Sequence, residues 1–358
     1  MDNITGLFPG ADIDRPKFIA GLKSQGINVT QKDIARNNTN MIVFSMPIGP
    51  YGARWMFRVN LTDGTILCSG GVTKTFFGHN VWVFKNEHDQ AVAIASILHQ
   101  AVSTLDGITL SSDSLQMEIH RIEITRHHKL PAPHTVLEAI SAINLMFKTL
   151  FPTRRFLNGE THDDPGTTGI GLTKSSRVCR VYDPAEKFAK KPDHVPLESW
   201  LPLQEACQDH LRIECMFSKR ELQAAGLTSI AGWADQAKVE SLLAKRYKNF
   251  GLSVRFNDSN EGFTKDVVEK AHPTFVEYAR HWFTAGKKGT EYNSRSGSAN
   301  RYKQYMAEQG YCVDVPFDRH KHLLHGLHNV LLPHLSAELP PEVRHDNALF
   351  GHWWEGKK

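Results

Sequence analysis

Three short runs with a polar–apolar period of two constrain this chain more than anything else in it. They are Leu115–Thr125 (LQMEIHRIEIT), Arg177–Tyr182 (RVCRVY) and Leu211–Phe217 (LRIECMF). Alternation at period two marks a β-strand, whose successive side chains leave on opposite faces. Met117, Ile119, Arg121 and Glu123 then fall on one face of the first run, with Ile122 and Ile124 on the other. In the same way Arg180 shares a face with Tyr182, and Arg212 with Glu214 and Met216. Neighbouring strands would bring these polar faces together across a sheet.

The sequence between the runs supplies more strands and the helices to cover them. Met41–Met46 (MIVFSM) is a further strand, and Arg54–Asn60 and Thr65–Ser69 flank Asp63-Gly64, a hairpin signal closed by Gly70-Gly71. A short helix is expected around Pro16–Ser24. Ile94, Ile97, Leu98, Ala101, Val102 and Leu105 recur at helical spacing, with Asn86 in the N-cap position. Thr135 and Glu138 form a capping box for a helix with the stripe Val136, Ile140, Ile143, Phe147 and Leu150. Asp183-Pro184 stops the second alternating run and starts a helix. Ser218 and Glu221 form another capping box, and Gly226 ends that helix. The order predicts an α+β fold: a central, largely antiparallel sheet with helices on one face.

Asn257–Gly262 (NDSNEG) reads as a linker, and beyond it Lys265–Thr284, Ser298–Gln309 and Asp318–Leu335 read as helices. The expected organisation is an unassigned lead over 1–40, a sheet domain over 41–257 and a helical C-terminal region over 263–358. A chain of 358 residues has room for two domains.

Composition excludes several classes. With 41% hydrophobic and 22% charged residues the chain can bury a core and is not wholesale disordered. Mean hydropathy is −0.37, and no stretch approaches the ~20 apolar residues of a membrane helix. Met1–Thr5 lacks the basic-then-apolar pattern of an export signal. A cytoplasmic protein without a membrane partner is expected. The five cysteines, Cys68, Cys179, Cys207, Cys215 and Cys312, are odd in number and show no C-x-x-C spacing. That argues against a disulfide framework and a structural zinc site. Gly166-x-x-Gly169-x-Gly171 lacks the Lys-Ser/Thr ending of a phosphate loop. No Ser or Cys nucleophile motif is present, so ATP-driven and hydride-transfer chemistry find no support.

The polar faces carry the chemistry. Glu123 and Glu214, converging beside the Tyr182 phenol, can hold a divalent cation that activates a phosphodiester. Arg121, Arg180 and Arg212 can grip phosphate oxygens in bidentate fashion. The same pattern also describes two Arg–Glu pairs along an exposed sheet face. A phenol of pKa ~10 needs help to attack phosphorus. Tyr182 precedes a helix start and is followed by Lys187, Lys190 and Lys191, or it merely caps the sheet edge. The turn Gly78-His79-Asn80 can offer an imidazole to a metal, or hold a structural histidine. His127-His128 and the group His320, His322, His325 and His328 lack carboxylates at ligand spacing. The C-terminal group suits a solvated or DNA-facing helix better than a zinc site.

Taken in order, several of these segments resemble the gene II protein family, the replication initiators of filamentous phages and their plasmid and prophage relatives. Lys74-Thr75-Phe76-Phe77-Gly78-His79-Asn80-Val81 is similar to the family's Lys-x-x-x-Gly-His-Asn-Val block. Arg121-Ile122-Glu123 is similar to its Arg-Ile-Asp/Glu strand, and Gly166–Tyr182, with Ser175-Ser176-Arg177, to the segment ending in the active tyrosine. Leu211-Arg212-Ile213-Glu214, with Leu222 and Gly226-Leu227, is similar to its Arg-x-Glu strand and short helix, and Arg301–Tyr311 to a C-terminal block. A His-hydrophobic-His motif is absent, and the first lysine after the tyrosine is Lys187.

The resemblance implies a fold like the HUH endonucleases and a metal-dependent, strand-specific DNA nickase for rolling-circle replication. Tyr182, assisted by Lys187, would attack a phosphodiester at the double-strand origin of phage or plasmid DNA, unpaired at the nick. It would form a 5′-phosphotyrosine link, free a 3′-OH and later religate the strand. Glu123, Glu214 and His79 would hold Mg²⁺ or Mn²⁺. Lys74, Arg121, Arg177, Arg180, Arg212, Lys190 and Lys191 would contact DNA. A host helicase and polymerase are the expected partners, and the helical region would add duplex or host-factor contacts. A plasmid mobilisation relaxase shares this chemistry. A DNA-binding regulator would keep the fold without it.

Overall fold

The three alternating runs are neighbours in one sheet. In the computed structural model the described residues are 1–27, 29–30, 40–81, 87–132, 135–150, 167–171, 178–187, 189, 197–252 and 331. In chain order they form β1 (Asn3–Phe8), β2 (Ala11–Ile13), α1 (Arg15–Ser24), β3 (Val29–Thr30), β4 (Met41–Ile48), β5 (Ala53–Asn60) and β6 (Ile66–Gly71). Next come α2 (Val72–Phe77), α3 (Glu87–Ser103), β7 (Ile108–Leu110), β8 (Glu118–Lys129), α4 (Val136–Leu150), β9 (Thr167–Gly171) and β10 (Val178–Tyr182). The last are α5 (Pro184–Lys187), α6 (Leu197–Ala206), β11 (His210–Ser218), α7 (Lys219–Ala225) and α8 (Gln236–Asn249). Among the described residues, nine strands make one antiparallel sheet in the order β3-β4-β5-β6-β1-β8-β11-β10-β9, and β2 pairs with β7 apart from it.

The local signals in the sequence act where expected. Gly64 turns the β5–β6 hairpin at φ 68°, and a Cβ there would lie 2.0 Å from the carbonyl oxygen of Ala11. The Asp63 carboxylate accepts from the backbone and hydroxyl of Thr65 at 3.0 and 2.7 Å, which fixes the turn. The two capping boxes close as read: Thr135 with Glu138 at the start of α4, and Ser218 with Glu221 at the start of α7. Asp183 caps α5 through the backbone of Ala185 at 2.8 Å. Asn86 lies outside the described residues.

Two features depart from the sequence reading. The lead over 1–40 has no domain assignment, and besides the expected helix, which is α1, it supplies the strand at the middle of the sheet: β1 lies between β6 and β8. The alternation of β1 is broken by Gly6, over which the buried Met117 thioether packs; a Cβ there would stand 2.5 Å from its sulfur. Period two puts Ile119 on the face of Arg121 and Glu123. The β1–β8 pairing shifts between Thr5/Gly6, and this bulge resets the alternation, so Ile119 is buried in the core with Ile122 and Ile124.

The apolar face is continuous across β8, β11 and β10. Cys215 pairs with Ile124 and Cys179, Phe217 with Ile122, and Ile213 with Val181, all of them buried. Helices cover this face. Phe18 of α1 meets Phe44 edge-on at 5.8 Å, and Phe8 meets His99 of α3 at 5.9 Å. Arg246 of α8 lies 4.5 Å over the Phe217 ring and pairs with Glu221 of α7 at 2.6 Å. Each large apolar side chain buried here contributes about 1.5–3 kcal/mol. β8 continues to Lys129, beyond its alternating part, because its polar side chains find partners inside. Arg126 pairs with Glu87 of α3 at 2.6 Å and Glu240 of α8 at 3.0 Å, and the His128 ring meets the Tyr247 hydroxyl at 3.0 Å.

No helix among the described residues is long and apolar enough to cross a membrane. The expected linker, the three C-terminal helices and the histidine group lie outside the described residues, as do Arg177, Lys190 and Lys191 and the side chain of Lys187.

Candidate functional site

The polar face of β8, β11 and β10 is built by register. Tyr182 pairs with Arg212, which pairs with His127. Arg180 pairs with Glu214, which pairs with Thr125, and Glu123 lies diagonally across from Glu214. Five of the residues singled out from sequence therefore converge on three adjacent strands. The Tyr182 hydroxyl donates to Glu214 Oε1. One nitrogen of Arg180 reaches Glu123 at 3.3 Å and Glu214 at 3.7 Å.

The third carboxylate is Asp2, which the sequence reading missed. The backbone N–H of Asp2 donates to Glu123 O at 2.9 Å, and its carbonyl accepts from Val72 N at 2.8 Å. This wedges it between β8 and α2. Ligand oxygens of Asp2, Glu123 and Glu214 lie within 4.8 Å of one another, and all three residues are buried. Asn3 Nδ2 donates to Glu123 Oε2, and Asn80 Nδ2 to Asp2 at 3.5 Å.

His79 is not in this group. It is buried between the rings of Phe77 and Trp200, at 6.2 and 6.0 Å. The Gly-His-Asn turn instead gives the site the Asn80 amide and the carbonyls of Asn80 and Val81, which Arg212 Nη1 holds, the latter at 2.9 Å. Arg212 also corrects an expectation. Its side chain is fully buried rather than turned to DNA, with Nη2 at 2.8 Å from Asp2 and 3.0 Å from Glu214, and its guanidinium lies 5.4 Å over the Tyr182 ring. Arg121 and Lys74 are exposed, as a DNA contact requires, and Arg180 is one-third exposed.

Burial and charge set the protonation states. Burial pushes the Asp2 carboxyl up to about 6; Arg212 opposes this, and Glu214 and Glu123 add to it. Burial also works on Glu214, but Arg212, the Tyr182 hydroxyl and Arg180 outweigh it and hold this carboxyl below its usual range. The Tyr182 phenol is pushed well above its ordinary value, by burial first and by Glu214 against the pull of Arg212. The phenol is thus protonated and aimed at an ionised carboxylate.

The donor set suits a hard divalent cation. All three ligands are carboxylate oxygens, the preference of Mg²⁺ and Mn²⁺. Glu123 and Arg180 also border a groove of about 580 Å³ on the open part of this face, lined further by Thr5, Arg54, Met56, Ser69 and Arg121. Three arginines and the exposed Met56 thioether line it, and of the three carboxylates Glu123 borders it.

Beside the site, His127 is buried and held well below its usual pKa, by burial first and then by Arg212 and His210. The unfolded chain accepts a proton here near pH 6.5 that the folded chain refuses. Stability is therefore present above that pH and falls as pH drops below it, by about 1.4 kcal/mol per pH unit from this residue. Asp2 acts in the opposite sense up to about pH 6, so the check is a comparison. Urea midpoints between pH 6.5 and 5.5 should fall more steeply in the wild type than in His127→Gln; parallel profiles would refute the assignment.

A family model for the N-terminal part of the phage replication-associated protein, the gene II product, matches residues 57–236, half of the chain. The match includes Glu123, Tyr182, Arg212 and Glu214 and excludes Asp2 and Asn3. No protein of curated function matches the chain.

Proposed function

The chain belongs to the gene II replication-associated protein family, the replication initiators of filamentous phages, and from this premise we propose that it nicks one strand of its origin through Tyr182 to start rolling-circle replication. DNA is its partner. The observation that carries the reading is the Tyr182 hydroxyl donating to Glu214 within a buried three-carboxylate group.

The groove receives the unpaired strand, with Arg54, Arg121 and Arg180 on its phosphates and Met56 beneath a base. Tyr182 Oη attacks the phosphorus and passes its proton to Glu214. The phosphorus–O3′ bond breaks, the 3′ oxygen takes a proton from water, and a 5′-phosphotyrosine remains. Asp2, Glu123 and Glu214 would hold Mg²⁺ or Mn²⁺, which when bound supplies positive charge to the phosphate oxygens. Arg212 keeps Glu214 ionised and able to accept the proton. Reversal by the 3′-OH closes the strand, so no ATP is consumed.

Supercoiled origin DNA with Mg²⁺ should give nicked circles bearing covalent protein. Glu123→Gln and Glu214→Gln should each cut nicking about a hundredfold or more, several kcal/mol of transition-state stabilisation, while retaining DNA binding. If both variants lose folding stability and nick normally when folded, the pairs are structural. A wild type that binds the origin and never nicks with either metal would be a DNA-binding regulator.

A further inference from the structure

The two arginines of the carboxylate group are built differently. Arg212 is fully buried, and its guanidinium is spread over two carboxylates and two backbone carbonyls. It cannot leave without stranding several buried groups. Arg180 offers one nitrogen to two carboxylates on two different strands, at 3.3 and 3.7 Å. The longer contact is beyond hydrogen-bond reach. Its side chain is one-third exposed, while Glu123 and Glu214 are 7% and 6% exposed, and it lines the groove. One cation is locked, and the other stands loosely at the mouth between the carboxylates and the channel.

We propose that Arg180 is an exchangeable counter-ion: it neutralises Glu123 and Glu214 when no divalent cation is bound there, and turns into the groove onto a phosphate of the entering strand when one is. The inference rests on the nickase reading above and adds a coupling to it. A divalent cation and a guanidinium on the same two carboxylates repel each other, so each is bound at the expense of the other. A phosphate in the groove draws Arg180 outward with a charge-assisted, bidentate contact better than its present single-nitrogen one. The strand therefore frees the carboxylates for the metal, and by linkage the metal frees Arg180 for the strand. The site is fully charged for chemistry only when DNA is in place.

Two binding measurements test this without any turnover. Free Mn²⁺ is followed by electron paramagnetic resonance with and without a short single-stranded oligonucleotide of mixed sequence. The same oligonucleotide, fluorescently labelled, is followed by anisotropy with and without Mn²⁺. In the wild type each ligand should tighten the other by about tenfold, within the usual range of such couplings. In Arg180→Ala, Mn²⁺ alone should bind more tightly by a similar factor, and the mutual tightening should vanish. Arg180→Lys should keep part of it. Coupling that persists in Arg180→Ala, or Mn²⁺ affinity unchanged by that substitution, would overturn the exchange while leaving the nickase reading intact. If Mn²⁺ binds neither protein while the oligonucleotide binds both, the metal reading itself fails and the exchange falls with it. Arg180 is one-third exposed where Arg212 is fully buried, so Arg180→Ala should cost less stability than Arg212→Ala, and a thermal melt checks that the variant is folded under the binding conditions.

Discussion

Tyr182→Phe should give a folded protein that binds DNA and forms no covalent complex with it. The hydroxyl is the only group removed, and it is the group that donates to Glu214. Loss of a nucleophile typically lowers turnover by about 10⁴-fold or more. Stability should change by only about 1 kcal/mol, because Glu214 Oε1 keeps Arg212 Nε at 3.2 Å. Labelled origin DNA on a denaturing protein gel reads the covalent product, and a thermal melt reads the fold. A phenylalanine variant that still forms the product at the wild-type rate would remove Tyr182 from the mechanism.

The largest effect on stability should come from Arg212→Ala. This side chain is fully buried and is the shared counter-ion of Asp2 and Glu214. Without it Asp2 loses its ion-pair partner, Glu214 keeps only the longer contact to Arg180, and the carbonyls of Asn80 and Val81 lose their donor. Removing one partner of such a buried pair costs about 3–5 kcal/mol, a large part of a domain's stability. Urea unfolding measures it directly. A loss below about 1 kcal/mol together with weakened DNA binding would return Arg212 to the role its sequence position suggested, a phosphate contact.

That contrast marks where the sequence could be read and where it could not. Period two is a local property, so the polar faces of β8, β10 and β11 and the meeting of Tyr182, Arg180, Glu123 and Glu214 followed from it. The hairpin at Asp63-Gly64 and the boxes at Thr135 and Ser218 are likewise local chemistry. Burial is not local. Nothing in the spacing of Arg212 and Arg180 says that one is sealed inside and the other stands at a groove. Asp2 entered the site because α2 and β8 clamp its backbone from opposite sides, a contact between segments 70 and 121 positions away. His79 lost its expected role because packing on Phe77 and Trp200 took the ring while its neighbour Asn80 faced the site. Arg126, His127 and His128 hid the last part of β8 because polar residues in a strand look solvent-facing until their partners are known.

The central place of β1 also sets an order of assembly. β4, β5 and β6 can pair as a local meander, while β8 finds its second partner only when β11 has been synthesised. β1 is made before all of these and then waits, since its two neighbours come from β6 and β8. Contacts of such long sequence separation form slowly and late. The half carrying most of the groove and the half carrying the tyrosine become one sheet only when β1 docks, and docking is what brings Asp2 to Glu123. Until β1 docks, the chain thus holds Tyr182 without the full set of carboxylates, and Asp2 joins Glu123 and Glu214 only as the two halves of the sheet close.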